Sequence, residues 1–293
     1  MTHVTSRCLA PLTVVVLLLA ACSSESPAPR AAPTSTASAD ATTTSIVIGP
    51  DGSSTVLREP GSVESSSDGA APPADDGAAL PDVDPTGPPG SFAAGILSPA
   101  HSTQIDVDVH AQSSAEPRSD SIDHVVGMLR DASGKAVTPS PSTVIEGGAR
   151  TWSADDLRGL VGRSSPSGHA VIQLLFLHGT FGGDDSVLGV AFRGDAAAIF
   201  MDQVRASATP LVGSAGIEAA VVAHEVGHLL GLVDLYLHTG RQDADHPGHS
   251  TDKNSVMYWA VESDLVADLL QGGPPQDFDN ADLADLKTIH DSG

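Results

Sequence analysis

The segment HEVGHLLGLVD, which begins at His224, constrains this chain most because it places several potential metal ligands within one helical turn and the turn that follows. On a helix, residues four positions apart lie on one face, so His224 and His228 are predicted to direct their imidazoles at one ion. Glu225 is predicted to act as a general base beside that ion. Gly231 allows a left-handed turn at the helix end, and this turn is predicted to return Asp234 beneath the ion as third ligand.

A second element downstream makes this prediction more specific. By itself, the core HEVGH is short enough to occur by chance on a helix, where it would form a solvated polar face. The segment Asn254-Ser255-Val256-Met257-Tyr258 resembles the methionine turn found under the metal in metzincins. The intervening chain of about 22 residues is a suitable length for a functional loop that returns beneath the site.

Residues 214 to 259 therefore resemble the metzincin clan of zinc endopeptidases. The resemblance implies one catalytic Zn²⁺ held by His224, His228 and Asp234, with Glu225 as base and Met257 beneath the metal. Aspartate at the third position is similar to the branch that includes the snapalysins, since most of the clan has histidine there. The implied fold is an α+β zinc protease domain in which a mixed sheet packs on the active-site helix.

Two residues near the motif leave alternatives open. His238 competes with Asp234 as third ligand, but it lies four positions further along than the resemblance requires, so Asp234 is favoured. Tyr258 follows Met257 directly, whereas metzincins that use a tyrosine there have it two residues after the methionine. For Tyr258, packing and stabilisation of an oxyanion by the hydroxyl are equally open.

The segment His246-Pro247-Gly248-His249 is a second candidate for metal binding. Its two histidines, with Asp243 and Asp245 beside them, could hold zinc or calcium. No regular ligand spacing supports a metal there, so a rigid Pro-Gly turn bordering the cleft is the favoured interpretation. We therefore expect a single catalytic zinc ion.

The N-terminal residues predict export. Arg7 precedes an apolar run from Leu12 to Ala21, which is too short to span a membrane and is typical of a signal peptide. The run ends in Leu19-Ala20-Ala21-Cys22, which resembles the bacterial lipobox. Residues 1–21 are therefore expected to be removed and Cys22 to carry lipid; a plain secretory signal, cut a few residues later, is the alternative. The mature chain would have no pair of cysteines for a disulfide.

Residues 22–94 are predicted to form a disordered tether. They are rich in Ser, Ala, Pro, Thr, Gly and Asp, and such a segment buries too little apolar surface to offset its ordering entropy. Residues 45 to 57 have the turn chemistry of a hairpin, which is marginal on its own in water. Residues 95–293 are long enough for one domain with a core and are assigned to the catalytic domain.

The catalytic region shows both strand and helix patterns. Strands are predicted at 104–110, 170–178, 187–192 and 197–201, and helices at 121–132, 264–270 and 280–290 and from residues 153 and 214. The last helix is expected to have Asp279 as N-cap and to pack Leu283, Leu286 and Ile289 inward. The strand at 187–192 is expected to form the sheet edge that binds substrate as an added strand.

The acidic composition restricts the partners. A net charge of −23 with 14 Lys and Arg residues argues against nucleic acid or anionic lipid head groups. The sequence thus predicts a zinc endopeptidase that is anchored to the cell envelope by lipid on Cys22, faces outward, and cleaves proteins or peptides with a metal-held water activated by Glu225. The alternative is a non-catalytic, metal-containing binding lipoprotein of the envelope. Glu225 disfavours it, because a structural metal site needs no base and usually has four protein ligands.

Overall fold

The computed structural model describes residues 46–48, 54–56, 83–162, 168–269 and 272–292. The predicted signal peptide, Cys22 and most of the predicted tether lie outside the described residues. Strands β1 (Ile46–Ile48) and β2 (Ser54–Val56) pair antiparallel, as the hairpin pattern predicted. Within the described ranges, no helix is both long enough and apolar enough to cross a membrane.

A mixed sheet organises the chain from residue 83 onward. Its strands are β3 (Gln104–Gln112), β4 (Ala136–Pro139), β5 (Thr143–Ile145), β7 (His169–Leu177), β9 (Gly189–Arg193) and β10 (Ala196–Phe200), and a separate parallel pair is formed by β6 (Arg150–Trp152) and β8 (Gly179–Phe181). The order across the large sheet is β4-β3-β7-β10-β9, with β5 also paired to β3. The strand β9 runs antiparallel to β10, whereas the other pairs are parallel. The sheet therefore has an antiparallel edge strand, β9.

Helices cover the sheet and supply its connections. They are α1 (Ala93–Leu97), α2 (Ser119–Ser133), α3 (Ala154–Leu160), α4 (Met201–Ala206), α5 (Ser214–Leu229), α6 (Val266–Leu269) and α7 (Asn280–Asp291), and a 3₁₀ helix spans Trp259–Glu262. Because parallel strands cannot be joined by a tight hairpin, α2 makes the crossover between β3 and β4. Capping boxes start α3 at Ser153 and α7 at Asp279, and both N-cap predictions are confirmed.

The strand β7 lies in the middle of the sheet because both of its faces are apolar. Leu174 and Phe176 face the core that includes α1, α2, α5 and α7, whereas Leu175 and Leu177 face a second core against α3. All four side chains are fully buried. A strand covered on both faces is expected to be a nearly continuous apolar run, so the predicted central strand is confirmed.

The helix α5 lies within the first of these two cores, the one shared with α1, α2 and α7, which is the larger core. Ile217, Ala220 and Val221 are fully buried, and Val221 also contacts the edge strand next to Gly189. The helix begins at Ser214, and Gly213 is its N-cap. The predicted fold class, an α+β arrangement in which a mixed sheet packs on this helix, is confirmed.

Two details differ from the sequence predictions. On α7, Leu286 and Ile289 are buried, but Leu283 is 46% exposed, so its predicted inward packing is wrong. Near the predicted end of the tether, Phe92 and Ala93 are already buried in the larger core. The buried chain thus begins before residue 95, because α1 packs with the helices that cover the sheet.

Candidate metal centre

The last turns of α5 carry His224, Glu225 and His228, and all three side chains are buried. The helix ends at Leu229, and Gly231 follows with a φ of 77°. This is the left-handed conformation that favours glycine. The predicted helix and the predicted turn at Gly231 are therefore both present.

The turn does not bring Asp234 to the histidines. Its carboxylate instead accepts hydrogen bonds from the backbone N–H groups of Thr239 and Gly240, at 2.7 and 3.1 Å, and from the Thr239 hydroxyl at 2.7 Å. These bonds outweigh partial burial and lower the pKa of Asp234. Asp234 thus closes its own loop, and the structure places it outside the group of possible metal ligands. The competing candidate, His238, is exposed.

The third imidazole beside the helix belongs to His249. Its ring stacks on that of His224, with centroids 5.1 Å apart, and meets the His228 ring edge-on at 5.0 Å. The Pro-Gly turn before it is present, with Gly248 at a φ of 83°, but it serves to aim His249 into the site rather than to border it.

His246, the other half of the predicted second cluster, lies apart from this group. Its ring stacks on Trp259, with centroids 4.4 Å apart, and its Nδ1 lies 3.3 Å from the Asp243 carboxylate. The structure therefore divides the two histidines of the HPGH segment between two environments. Among the described residues, the group that could hold a metal includes His249 but not His246.

The orientation of His224 leaves one ring nitrogen for an ion. Its Nδ1 donates to the carbonyl of Val256 at 2.7 Å, so its Nε2 has the lone pair and faces the Nε2 of His228 at 3.1 Å. Two nitrogens that each lie about 2.0–2.1 Å from a tetrahedral zinc ion are about 3.4 Å apart. The spacing of these two nitrogens fits one shared ion.

A fourth group, Glu262, completes the cluster from the end of the 3₁₀ helix. One oxygen lies 2.9 Å from His249 Nε2 and the other 3.6 Å from His224 Nε2. The donor atoms of the four residues all lie within 4.8 Å of one another. Burial opposes the charge of Glu262, but the two imidazoles outweigh it and hold the pKa of this carboxyl well below its usual range. Three nitrogen donors and one carboxylate are a donor set that zinc accepts.

Glu225 lies beside the cluster rather than in it. The carboxylate packs on Gly189 of the edge strand, where an added Cβ would collide with a Glu225 oxygen. Both oxygens are buried without a hydrogen-bond partner, although the backbone of Ala191 is near enough to favour the charge slightly. Burial, followed by repulsion from Glu262, raises the pKa of Glu225 well above its usual value. A strongly perturbed carboxyl beside metal-binding groups is characteristic of a functional site.

The burial of His228 keeps its ring neutral. Desolvation and the neighbouring imidazoles of His224 and His249 lower its pKa well below the usual value. A metal ligand must offer an unprotonated nitrogen. The surroundings of His228 thus favour the form that binds a cation.

The segment Asn254–Tyr258 lies beneath the helix, as predicted. Met257 is fully buried, and its sulfur packs where a Cβ on Gly227 would otherwise be. The Ser255 hydroxyl donates to Asp282 Oδ2 at 3.0 Å and accepts from the Met257 N–H at 3.0 Å. This turn thus supports His224 from below, because it also supplies the Val256 carbonyl.

Tyr258 is buried at the end of this turn. Its side chain packs in the larger core and its ring lies 5.5 Å from that of Trp259. These contacts account for the packing role that the sequence left open. An oxyanion role for its hydroxyl remains a prediction.

Comparison with known proteins finds similarity to solved structures. No family model matches the chain. No curated protein matches it. Two solved structures are similar: archaemetzincin from Archaeoglobus fulgidus complexed with malonate, which is 15% identical, covers 62% of this chain and 99% of that chain, and has a TM-score of 0.35; and archaemetzincin from Methanopyrus kandleri, at 18% identity, 64% and 95% coverage and a TM-score of 0.40. At these identities and TM-scores, neither structure determines the activity of this chain.

Proposed function

We propose that this chain is a zinc-dependent endopeptidase. The observation that carries the proposal is the position of Glu225, a fully buried carboxylate that lies beside a cluster of three imidazoles and is repelled by Glu262. A metal held only for structure gives no reason to bury such a group. Desolvation of an unpaired charge is costly, and functional sites are where that cost is found.

His224, His228 and His249 are the proposed zinc ligands. Each is buried, and the ring contacts among them bring one nitrogen of each within the cluster. The Val256 carbonyl fixes the tautomer of His224, in the way that outer groups orient the ligands of known metal sites. Asp234, which the sequence favoured as third ligand, has no part in this proposal because its carboxylate bonds elsewhere.

The chemistry assigns one role to Glu225. Zinc, when bound, would polarise the scissile carbonyl and lower the pKa of the attacking water. Glu225 would accept the proton of that water and pass it to the leaving amine. Burial and repulsion from Glu262 raise the pKa of Glu225, which favours uptake of a proton by this carboxylate.

The substrate is proposed to be an extended polypeptide. The edge strand β9 lies next to Glu225. Among the strands described, β9 pairs only with β10, so its other edge has no strand partner. An extended peptide can add to such an edge by backbone hydrogen bonds. This geometry would bring a scissile bond to the cluster.

The test compares the wild-type chain with Glu225→Gln, with Glu146→Gln as matched control because Glu146 is exposed. Zinc content is measured by elemental analysis, and hydrolysis by digestion of an unfolded protein. We expect Glu225→Gln to keep its zinc and to lose about 10²–10⁴-fold in hydrolysis rate. Unchanged hydrolysis in the zinc-loaded Glu225→Gln protein contradicts the role of Glu225.

One observation favours a second candidate, a non-catalytic protein with a structural metal. Glu262 adds a fourth donor to the three imidazoles, and structural zinc sites usually have four protein ligands. In that case a zinc-loaded protein would hydrolyse no peptide under any condition. Glu225 makes this candidate the weaker one, since a structural site needs no base.

Export and anchoring are proposed from the sequence alone. The segment Leu19-Ala20-Ala21-Cys22 supports removal of residues 1–21 and attachment of lipid to Cys22 at the outer face of a cell membrane. Covalently attached lipid adds buried hydrocarbon and so would favour the membrane-bound form of the chain. Fatty-acid labelling of the wild type and of Cys22→Ser tests it, and equal labelling of both contradicts it.

A further inference from the structure

The segment 262–264 contributes Glu262 to the metal cluster and pairs with the chain that leads into the edge strand β9. Resting on the proposed function, we propose that Glu262 is a displaceable fourth metal ligand and that its segment holds the peptidase in a closed, latent state. Substrate would reach the site only after the segment moves away. The proposal thus concerns the regulation of the same site.

The backbone of this segment is paired with the chain that leads into β9. The Leu188 N–H donates to the Glu262 carbonyl at 2.8 Å, and the Asp264 N–H donates to the Ser186 carbonyl at 2.9 Å. Val187 and Ser263 lie opposite each other as an antiparallel bridge between these two bonds. A peptide that extended along β9 past Gly189 would need these backbone groups, so the segment and a substrate exclude each other there.

The side chain of Glu262 also blocks the substrate, independently of the backbone pairing. Its carboxylate lies against His249 and His224, at 2.9 and 3.6 Å from their Nε2 atoms. A catalytic zinc site keeps one position open for water or the scissile carbonyl, whereas a fourth protein ligand closes it. With three imidazoles already present, Glu262 takes the position that the reaction requires.

Displacement would involve little of the fold. Val261 and Val266 are fully buried, whereas Glu262 is 28% exposed and the three residues between Glu262 and Val266 are not buried. The short stretch between these two valines could therefore leave the edge while they remain packed. The site would open at Glu262 without unfolding α5, which carries His224, Glu225 and His228.

The first test removes the carboxylate and uses Co²⁺ as a visible probe of the metal. Full-length wild type, Glu262→Ala and the exposed control Glu146→Ala are loaded with cobalt, and the visible spectrum is titrated with acetohydroxamate, a small bidentate chelator. We expect acetohydroxamate to change the spectrum of Glu262→Ala at concentrations at least tenfold below those needed for wild type and Glu146→Ala. Equal titrations in all three proteins overturn the proposal, as does loss of cobalt and zinc from Glu262→Ala.

Hydrolysis is measured on the same proteins with zinc. If the open state is about 1–10% of wild-type molecules, removal of the fourth ligand should raise the hydrolysis rate about 10–100-fold. A zinc-loaded Glu262→Ala protein that is slower than wild type overturns latency. Should acetohydroxamate distinguish the cobalt proteins as expected while no zinc protein cleaves substrate, the closure stands and the proposed peptidase function fails.

The second test keeps Glu262 and locks its segment. Val187 and Ser263 form a non-hydrogen-bonded antiparallel pair. In such pairs the Cα atoms lie about 4.5 Å apart, a separation that a disulfide can span. In full-length protein with Cys8 and Cys22 replaced by serine, Val187→Cys combined with Ser263→Cys should be inactive and closed to acetohydroxamate when oxidised. Reduction should restore both properties to the level of the same protein without the introduced pair. An oxidised, cross-linked protein that remains as open and active as its reduced form overturns the proposal.

Discussion

The helix half and the loop half of the metal centre differ in what determines the positions of their residues. In the helix half, His224, Glu225 and His228 have their places from the period of α5, so that their spacing along the chain already defines their spacing in space. In the loop half, His249 meets the helix through ring contacts with His224 and His228, and Glu262 is held by backbone pairing with Leu188. A pattern of residues can therefore predict the first half, whereas the second depends on packing that no local pattern contains.

The largest effect is expected from a test that replaces each of the two candidates for third ligand, His249 and Asp234, by alanine. We expect His249→Ala to weaken zinc binding by more than the roughly 10–100-fold that follows loss of an outer-shell partner, and to abolish hydrolysis. The physical reason is the loss of one of three buried nitrogen donors. Zinc affinity is measured by competition with a coloured chelator.

Asp234→Ala is the matched variant, because Asp234 is the ligand that the sequence favoured. It should retain zinc with unchanged affinity, since its carboxylate bonds to Thr239 and Gly240. The opposite pattern, in which Asp234→Ala loses zinc and His249→Ala keeps it, would show that the motif spacing was the better guide.

The parts of the fold and site that the sequence predicted each have a recognisable sequence signal. Gly231 has the left-handed conformation that its position after the helix required, and Met257 lies under α5 opposite Gly227. The prediction for Gly231 follows from a glycine directly after the helix, whereas the prediction for Met257 follows from the resemblance of residues 254–258 to the methionine turn. The apolar run of β7 likewise predicted a central strand, because burial on both faces selects such a run.

The structure does not bring Asp234 to the histidines, because a local alternative is available to its carboxylate. Val233 and Asp234 both have positive φ angles, 51° and 66°, and the Asp234 carboxylate accepts from the N–H groups of Thr239 and Gly240. Short polar side chains commonly bond to backbone a few residues away. Glu262 carried no signal at all, since its place depends on pairing with Leu188, far away in the chain.

A second prediction concerns the stability of that loop. Asp234→Ala should lower the free energy of unfolding by about 1–3 kcal/mol, because three hydrogen bonds to a carboxylate are lost. The residue also has a positive φ, which alanine tolerates poorly. Urea unfolding of the two proteins measures the difference, and Asp234→Asn, which retains an acceptor and tolerates this backbone conformation, should lose less.

The pH dependence of this difference has a definite sign. The folded-state pKa of Asp234 is lowered, so its charge contributes stability above the unfolded pKa of about 3.9. That contribution is lost as pH falls through the lower, folded-state pKa. The gap in unfolding free energy between wild type and Asp234→Ala should therefore shrink in acid, and a gap that widens there would contradict the assigned bonds.

The smallest expected effect lies on α7, where helix periodicity itself was an incomplete guide. The period placed Leu283 with Leu286 and Ile289, yet Leu283 is 46% exposed while the other two are buried. A helix presents an apolar stripe of limited width to the core, and Leu283 lies at the margin of the stripe on α7.

We expect Leu283→Ser to change the free energy of unfolding by no more than about 0.5 kcal/mol, as for other exposed positions. Leu286→Ala, the control, should cost about 2–5 kcal/mol because it leaves a cavity in the core. Thermal or urea unfolding measures both variants. A large loss for Leu283→Ser would mean that the full apolar pattern of α7 packs inward and that helix spacing is as reliable there as it is for His224 and His228.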